Sequence, residues 1–373
     1  MHENFELNAV EERLYARAAE KKQPIYGGFE LTPYCNFSCK MCYVQETKPG
    51  LSLLSGEQWL EFGRQAAEAG TLCIVLTGGE PMLHPDFKKI YKGLKQLGMV
   101  LTINTNASLI DEEMADFLAA DLPRRVNISL YGPNEQVYQE LCGNGSGFQK
   151  TIRAIELMKE RNIPVKVNIV PNTINYPYLD EMFDICKKYD LDITMTAYLF
   201  EPLRKCDGSR QGYRLSPEEM AQALLKWDRY RYNEYEMAVR AIMCNQKLPD
   251  FEESRNVEGT VPLRCRAGSS SFWLCWDGKM NACVNMISPQ ADVMQMGFAE
   301  AWNLVKKEGA AIRVPAKCDS CSLKGFCLNC AAIGFHQNGI FEKEPEVMCA
   351  ATRHYAELLA PTVEKVELMD KGK

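Results

Sequence analysis

Through residue 200 the chain alternates short β-rich runs with amphipathic helical stretches. The candidate strands are 25–32, 71–77, 99–105, 125–131, 164–170 and 193–200. Helical patterns at 55–69, 86–97, 111–120, 147–162 and 176–189 lie between them, after a first helical stretch at 8–22. Ser55 and Asp111 stand where N-caps belong, and Gly70 and Gly98 where helices stop. Strand and helix in regular alternation predict a parallel sheet wound by right-handed crossovers, with reactive loops at the C-terminal ends of the strands. Six such units fall short of the eight that close a barrel. The expected fold is therefore α/β, an open partial (β/α)6 barrel of the TIM type whose mouth something else must cover.

The organisation expected around that barrel is an N-terminal helical extension at 1–24, the barrel at 25–200, a helical bridge at 201–260, a cysteine-rich domain at 261–360 and a tail at 361–373. The bridge opens with the polar, basic loop EPLRKCDGSRQGYR and continues as a helical run from about 216 to 246. From 261 onward the segments are short, as in a small α+β domain, and hold eight of the sixteen cysteines. The N-terminus alternates charged with single apolar residues, unlike a secretion signal. No run approaches the ~18 apolar residues of a membrane span. A cytoplasmic protein without a membrane partner is expected. In that reducing compartment clustered cysteines point to metal, not to disulfides. With four histidines, thiolate must dominate the ligand set. A net charge of −6 and a pI near 5.5 give no basic field for nucleic acid.

The first strand runs into Cys35-x3-Cys39-x2-Cys42, three thiolates within eight residues. Iron–sulfur cubanes usually take four cysteines, so three leave one iron open, and an open metal is where chemistry happens. A zinc knuckle would use the same residues. The second strand ends in Gly78-Gly79-Glu80-Pro81, where glycines admit a ligand to the backbone and Glu80 offers a carboxylate to a cation. Alone that tetrapeptide is equally a turn. Together the two motifs resemble the radical S-adenosylmethionine (SAM) superfamily. The resemblance implies an oxygen-sensitive enzyme. A [4Fe–4S] cluster on Cys35, Cys39 and Cys42 chelates SAM through its open iron and cleaves the sulfonium to a 5′-deoxyadenosyl radical. Gly78, Gly79 and Glu80 hold the methionine amine, and Ser129, ending strand four, contacts the ribose. Asn106 and Tyr198 shape the pocket, with ordinary packing as the alternative for both. Met41 stands where relatives place an aromatic residue near adenine.

Farther on come Cys265, Cys283, Cys318-x2-Cys321-x5-Cys327-x2-Cys330 and Cys349. This order resembles the SPASM domain, although zinc ribbons also use CxxC pairs. The resemblance implies two auxiliary [4Fe–4S] clusters, three in all. Cys318, Cys321, Cys327 and Cys349 would hold the outer one; Cys265, Cys283 and Cys330 the inner one. The inner fourth ligand is either Cys275 or absent, which leaves an open iron for a substrate thiolate. Residues 271–283 read as a hairpin turning at Asp277-Gly278, with Phe272 facing Cys283 and Cys275 on the opposite side. Cys73, Cys142, Cys186, Cys206 and Cys244 are isolated, Cys73 and Cys186 on apolar faces and Cys206 in a polar loop where it would have access to a radical.

In relatives that carry this domain the substrate is most often a residue within a peptide. The leading expectation is a maturase that forms a thioether or carbon–carbon crosslink in a ribosomally made peptide. A reductase, flavodoxin or ferredoxin would donate electrons. Such maturases often carry an N-terminal winged-helix domain; 34 residues precede Cys35, so leader recognition is expected from a separate protein or from the bridge, with Trp227-Asp228-Arg229-Tyr230-Arg231-Tyr232 and Tyr235, or is not needed, and a helix packing on the barrel explains that stretch equally well. A tetrapyrrole-modifying enzyme of the haem-synthesis kind is the alternative. A sulfatase-maturing enzyme is disfavoured because Val284 stands where that family places an aspartate.

Overall fold

The structure is a computed structural model that describes residues 2–44, 50–200 and 212–360. Its strands in chain order are β1 Tyr26–Glu30, β2 Cys73–Thr77, β3 Val100–Thr105, β4 Arg125–Ser129, β5 Val165–Ile169, β6 Asp192–Met195, β7 Thr260–Pro262, β8 Ser271–Leu274, β9 Lys279–Asn281, β10 Gln290–Asp292 and β11 Arg313–Pro315. The helices of the first half are α1 His2–Glu20, α2 Gly56–Glu68, α3 Phe87–Gln96, α4 Glu112–Ala120, α5 Glu135–Cys142, α6 Gly147–Glu160 and α7 Leu179–Lys188. Those of the second half are α8 Pro217–Arg231, α9 Glu234–Lys247, α10 Phe251–Ser254, α11 Val293–Met296, α12 Phe298–Ala311, α13 Ala316–Ser320, α14 Ala331–Asn338 and α15 Glu346–Leu359. None is long and apolar enough to cross a membrane among the described residues.

Strands β1 to β6 pair in parallel and in sequential order, as the alternation predicts for a partial barrel. Ser55 caps α2 with a full capping box through Gln58, and Asp111 caps α4 through the Met114 N–H. Gly70 and Gly98 follow their helices at φ +96° and +80°, the left-handed region that glycine tolerates. Helix α5 is absent from the sequence reading. Its signals are short but present, an Asn134 cap on the Val137 N–H and Gly143 at φ +67°. The helical run from 216 to 246 is two helices, because Asn233 breaks it by capping α9 reciprocally with Glu236. Strand β6 stops at Met195, well short of Phe200. It is the edge of the sheet, and the Leu199 carbonyl goes to the Arg214 guanidinium at 2.9 Å.

The sheet does not end at β1. Strand β8 pairs with it in parallel, and the order runs β10-β9-β8-β1-β2-β3-β4-β5-β6. Two glycines make the contact. A Cβ on Gly27 would lie 2.3 Å from the Phe272 ring, and one on Gly28 2.1 Å from the Trp273 ring. Phe272 points outward into an aromatic cluster with Phe29, Phe298 and Trp302, so α12 backs this added strand as a barrel helix would. Trp273 points inward and donates its indole N–H to the buried Glu30 carboxylate at 3.1 Å.

The β8–β9 hairpin corrects the expected register. Its loop is Trp276-Asp277-Gly278, closed by the Cys275 N–H on the Lys279 carbonyl at 2.8 Å, so Trp273 lies opposite Asn281. Gly278 at φ +78° takes the left-handed position that a three-residue loop requires. The pairing is one residue out of step with a two-residue turn, and Phe272 does not face Cys283.

The bridge helices are tied to α15 by a buried carboxylate. Asp228, 3% exposed, accepts from the Tyr355 hydroxyl, from Arg240 at 2.9 Å and from Arg231. The segment 227–232 is thus largely occupied by packing: Arg231 stacks on Trp227 at 3.6 Å, and Tyr230 bonds the Leu191 carbonyl. Tyr235 alone of the aromatic residues named there is open to solvent, at 76%.

Gly28→Ala should force the Trp273 ring aside at a cost of about 1–3 kcal/mol, the usual size of overpacking. The expected result is a lower melting temperature with faster amide exchange in β8; unchanged exchange there would refute the docking.

Candidate active site

The loop from 31 to 43 leaves β1 and is held against the loop after β2 by backbone alone. The Gly79 N–H donates to the Thr32 carbonyl at 2.6 Å and the Glu80 N–H to the Tyr34 carbonyl at 2.8 Å. Cβ atoms on Gly78 and Gly79 would lie 2.4 Å and 2.2 Å from those same carbonyl oxygens. Gly78 also sits at φ +154°. The glycine pair is therefore required by the approach of two backbones, and it leaves a wall without side chains facing the cavity between them.

That cavity, about 360 Å³, is lined at one end by Cys35, Cys39 and Cys42. The Phe37 N–H points at the Cys35 sulfur at 3.4 Å, and the Asn106 side-chain amide reaches it at 3.7 Å while donating to Asn36 Oδ1 at 2.9 Å. Burial pushes the Cys35 thiol up to about 12, and the nearby Glu80 charge adds to it. Such a thiol becomes a ligand only when a metal displaces its proton.

Glu80 is fully buried beside this loop. Its carboxylate accepts from the Thr105 hydroxyl at 2.8 Å, the Asn106 N–H at 2.9 Å and the Met82 N–H at 3.3 Å. These bonds favour the ionised form, but desolvation outweighs them and lifts the group to about 7. No cationic side chain among the described residues is recorded against it.

The other sequence candidates converge on the same space. Asn106, Ser129, Met41 and Tyr198 all line it. Met41 accepts from the Asn172 amide at 3.3 Å. The Tyr198 hydroxyl lies 3.2 Å from His336 Nδ1 on α14, and the Arg214 guanidinium sits 4.5 Å over its ring. Asn104, Asn168, Thr194 and Thr196 complete the wall, and strand register alone would have placed the first three among the inward-facing ends. From the far part of the chain, Val284 and Asn285 reach the same wall. The described lining residues include no Asp, Glu, Lys, Arg or His.

Six more thiols, Cys265, Cys318, Cys321, Cys327, Cys330 and Cys349, surround a second cavity of about 360 Å³. Their electrostatic neighbours fall into two sets. Cys318, Cys321, Cys327 and Cys349 influence one another, and Cys265 and Cys330 share a set with Cys283. Burial raises Cys283 to about 11 and Cys349 to about 12. Donors already aim at several sulfurs: Ala267 N–H at Cys265 (3.3 Å), Asn329 N–H at Cys327 (3.4 Å) and Arg255 at Cys349 (3.6 Å). Among the described residues no three His, Cys, Asp or Glu side chains meet at the distance one ion needs. The thiols line cavity walls instead, a spread donor set with buried N–H···S partners that suits a polynuclear cluster.

Cys275 lies elsewhere. It is buried against Val75 and Trp273 inside the sheet, and its sulfur accepts from the Asn281 amide at 3.3 Å. Cys73 takes the Tyr15 hydroxyl at 3.7 Å, and Cys186 and Cys244 are buried in the core. Cys206 lies outside the described residues. Cys142, isolated in sequence, is not isolated in space: it is fully buried next to Cys39.

Residues 29–186 match the family model of the Radical SAM superfamily. Two curated relatives are AdoMet-dependent heme synthase of Methanosarcina barkeri, 24% identical over 85% of this chain and 94% of that one, and the sporulation killing factor maturation protein SkfB of Bacillus subtilis, 27% identical over 74% and 64%. Among solved structures, anSMEcpe with bound AdoMet superposes with a TM-score of 0.69 at 18% identity, over 92% of this chain and 99% of that one. Streptococcus suis SuiB bound to its precursor peptide SuiA does so with a TM-score of 0.64 at 17% identity, over 90% and 79%. These likenesses confirm the partial barrel with a cysteine-rich C-terminal region.

The elevation of Glu80 has a stability signature. Unfolded, the group titrates at the ordinary glutamate value of 4.5; folded, burial raises it to about 7. Between those values the folded chain holds a proton that the unfolded chain lacks, so stability falls as pH rises through the window and levels off above it. At 1.36 kcal/mol per unit the contribution is roughly 3 kcal/mol. Relative to Glu80→Gln, the wild-type protein without small molecules should lose about that much stability from pH 5 to 7.5 in denaturant titrations. A pH-independent difference would show the carboxylate to be ionised throughout.

Proposed function

We propose that the chain, whose residues 29–186 match the family model of the Radical SAM superfamily, is a radical SAM enzyme that abstracts hydrogen from a residue of a ribosomally made peptide and completes a thioether or carbon–carbon crosslink. A [4Fe–4S] cluster on Cys35, Cys39 and Cys42 would supply the electron that splits the SAM sulfonium. Gly78 and Gly79 provide carbonyls and an open wall for the methionine end of SAM, and the Glu80 carboxylate receives its ammonium. Because burial raises Glu80 to about 7, SAM binding below that pH releases a proton, and affinity falls as pH falls. Ser129 faces the ribose, and Met41, steadied by Asn172, faces the base. Two further clusters are assigned to the two thiol sets. Cys275, held by Asn281, belongs to neither, so the inner set of three keeps an open iron suited to a substrate heteroatom.

The observation that supports the peptide reading is that the described lining residues of the barrel cavity carry no charge. A desolvated carboxylate needs a cation or several donors, and burying one unpaired costs several kcal/mol. A peptide segment brings amides and a neutral side chain, which Asn104, Asn168, Thr194 and Thr196 can hydrogen-bond. SuiB and anSMEcpe have been seen with peptides bound. A tetrapyrrole substrate is the second reading, favoured by the match to heme synthase along 85% of this chain. Its carboxylates would find no cationic partner among the described lining residues.

The two readings separate in one assay. Reduced enzyme and SAM should form 5′-deoxyadenosine, and a peptide encoded beside the gene should gain a crosslink, losing two hydrogens in mass. Loss of carboxyl groups from an added carboxylated porphyrin instead would transfer the assignment to tetrapyrroles. Three cubanes predict about 12 irons per chain. Cys39→Ala should lower this to about 8 and abolish 5′-deoxyadenosine, whereas Cys318→Ala should lower iron and leave SAM cleavage intact. Zinc in place of iron would dismantle the cluster assignment.

A further inference from the structure

The crosslink proposed above removes two hydrogens from the peptide. One leaves as an atom, and the other must leave as a proton and an electron. The described lining of the barrel cavity offers that proton no Asp, Glu, Lys, Arg or His, and in the proposed reading the Glu80 carboxylate is taken by the ammonium of SAM. One wall residue nevertheless leads to a base. Tyr198, 2% exposed, lines the cavity, and its hydroxyl lies 3.2 Å from Nδ1 of His336. The other histidines with described side chains are engaged elsewhere. His84 bonds the Leu54 carbonyl at 2.8 Å and the Asp86 N–H at 3.1 Å, and His354 lies 3.1 Å from Glu218.

Packing holds the pair in place. The Tyr198 and His336 rings meet edge-on with centroids 6.1 Å apart, and Phe200 packs against them at 5.0 Å and 5.6 Å. Arg214, fixed by its Nε bond to the Leu199 carbonyl, sits 4.5 Å over the Tyr198 ring, where its charge favours release of the phenolic proton. His336 stands in the last turn of α14, where the helix dipole favours a cation. Its side is partly open to solvent, so a proton taken there can reach water. The N-cap of the same helix is Cys330, a thiol of the inner set, roughly 9 Å away along the axis at 1.5 Å per residue.

From this arrangement we infer that Tyr198 and His336 form the proton exit of the barrel cavity, Tyr198 as a catalytic residue touching the substrate and His336 as the base acting through it. The inference rests on the crosslinking reading. The 5′-deoxyadenosyl radical takes a hydrogen atom from a peptide C–H bond, which leaves 5′-deoxyadenosine and a carbon radical. The new bond is made from the radical electron and one electron of an S–H or C–H bond on the second substrate atom. The proton of that broken bond passes to the Tyr198 oxygen while the phenolic proton moves to His336 Nδ1, giving an imidazolium. The remaining electron is accepted by an oxidised [4Fe–4S] cluster of the kind assigned to Cys265, Cys283 and Cys330. The route uses neutral His336 with its proton on Nε2, the tautomer whose Nδ1 accepts the hydroxyl. Proton and electron thus leave toward opposite ends of one short helix.

The test uses dithionite-reduced holoenzyme, SAM and the peptide encoded beside the gene, in deuterium oxide, and counts crosslinks per 5′-deoxyadenosine formed. Compared with wild type at equal iron content, Tyr198→Phe and His336→Gln should lower that ratio about 100-fold, the low end of what a positioned base contributes. The stranded carbon radical is then quenched by an electron from dithionite and a deuteron, so the uncrosslinked peptide gains a deuterium. A merely structural defect lowers both products together and leaves the ratio where it was. In His336→Ala, added imidazole should restore the ratio. A wild-type ratio in His336→Gln, or no response of His336→Ala to imidazole, would overturn the inference. If Tyr198→Phe forms no 5′-deoxyadenosine, the two His336 variants decide by the same ratio. Wild-type protein that forms 5′-deoxyadenosine but crosslinks no peptide would refute the peptide reading itself.

Discussion

The parallel docking of Ser271–Leu274 on Tyr26–Phe29 brings the two cysteine-rich parts of the chain to one place. Its strength lies in rings, not in ladder bonds. Phe272 and Trp273 are buried. Aromatic side chains bury on the order of 200 Å² each, about 5 kcal/mol apiece before entropy, whereas a backbone hydrogen bond nets about 1 kcal/mol. Gly27 and Gly28 are the complementary feature, since any side chain there would fill the space the rings occupy. From that docked strand the chain turns through Gly278 and returns to Cys283, whose next two residues form part of the barrel wall. Cys283 thus stands next to two residues of the barrel wall because one strand from the distal region completes the sheet.

This contact explains where the sequence was legible and where it was not. Strands β1 to β5 follow from local alternation and stand within a residue or two of their expected bounds. Ser55 and Asp111 could be read as caps because the partners that define them lie three residues on. The division of the C-terminal thiols into two sets was an expectation drawn from the resemblance to the SPASM domain and not from spacing alone. The docking of β8 on β1 was not legible: the two lie some 240 residues apart, as the Trp273–Glu30 bond shows with a separation of 243, and pairing at that range leaves no periodic trace. The hairpin register failed for a different reason. Asp277-Gly278 suits both a two-residue turn and the end of a three-residue loop, and only the left-handed Gly278 with Trp276 inside the loop decides between them. Cys142 escaped notice because proximity to Cys39 depends on α5, an eight-residue helix whose amphipathic signal is brief.

The bridge shows the opposite balance between exposure and use. Its aromatic and basic residues look available in sequence, yet Asp228 gathers Arg231, Arg240 and Tyr355 into one buried network, and Trp227 is covered by Arg231. Removing the Tyr355 or Arg240 partner would strand a buried carboxylate, which is costlier than losing a surface ion pair. The charge in this segment therefore holds α15, and with it Cys349, in place against α8 and α9. A peptide-binding role for the bridge falls to what remains exposed, notably Tyr235.

The electrostatics of the barrel cavity follow from one omission. Its described lining carries no cationic side chain, while Cys35 and Glu80, at or beside the cavity, are shifted toward their neutral forms by burial, and so are Tyr131 and Cys142. Buried acids with no cation among the described lining residues are destabilised once they ionise, and the cost is largest where solvent is excluded. Arginines placed to neutralise them would remove the cost but would also occupy the space and pair with the acids permanently. Leaving the positive charge out makes it the ligands' contribution. In the proposed reading the iron and the ammonium bring it, the one to the Cys35 thiol and the other to Glu80, two groups whose neutral forms burial favours, so that binding is coupled to proton release. The walls farther in then need only hydrogen-bonding groups of no net charge, and Asn104, Asn168, Thr194 and Thr196 are such groups.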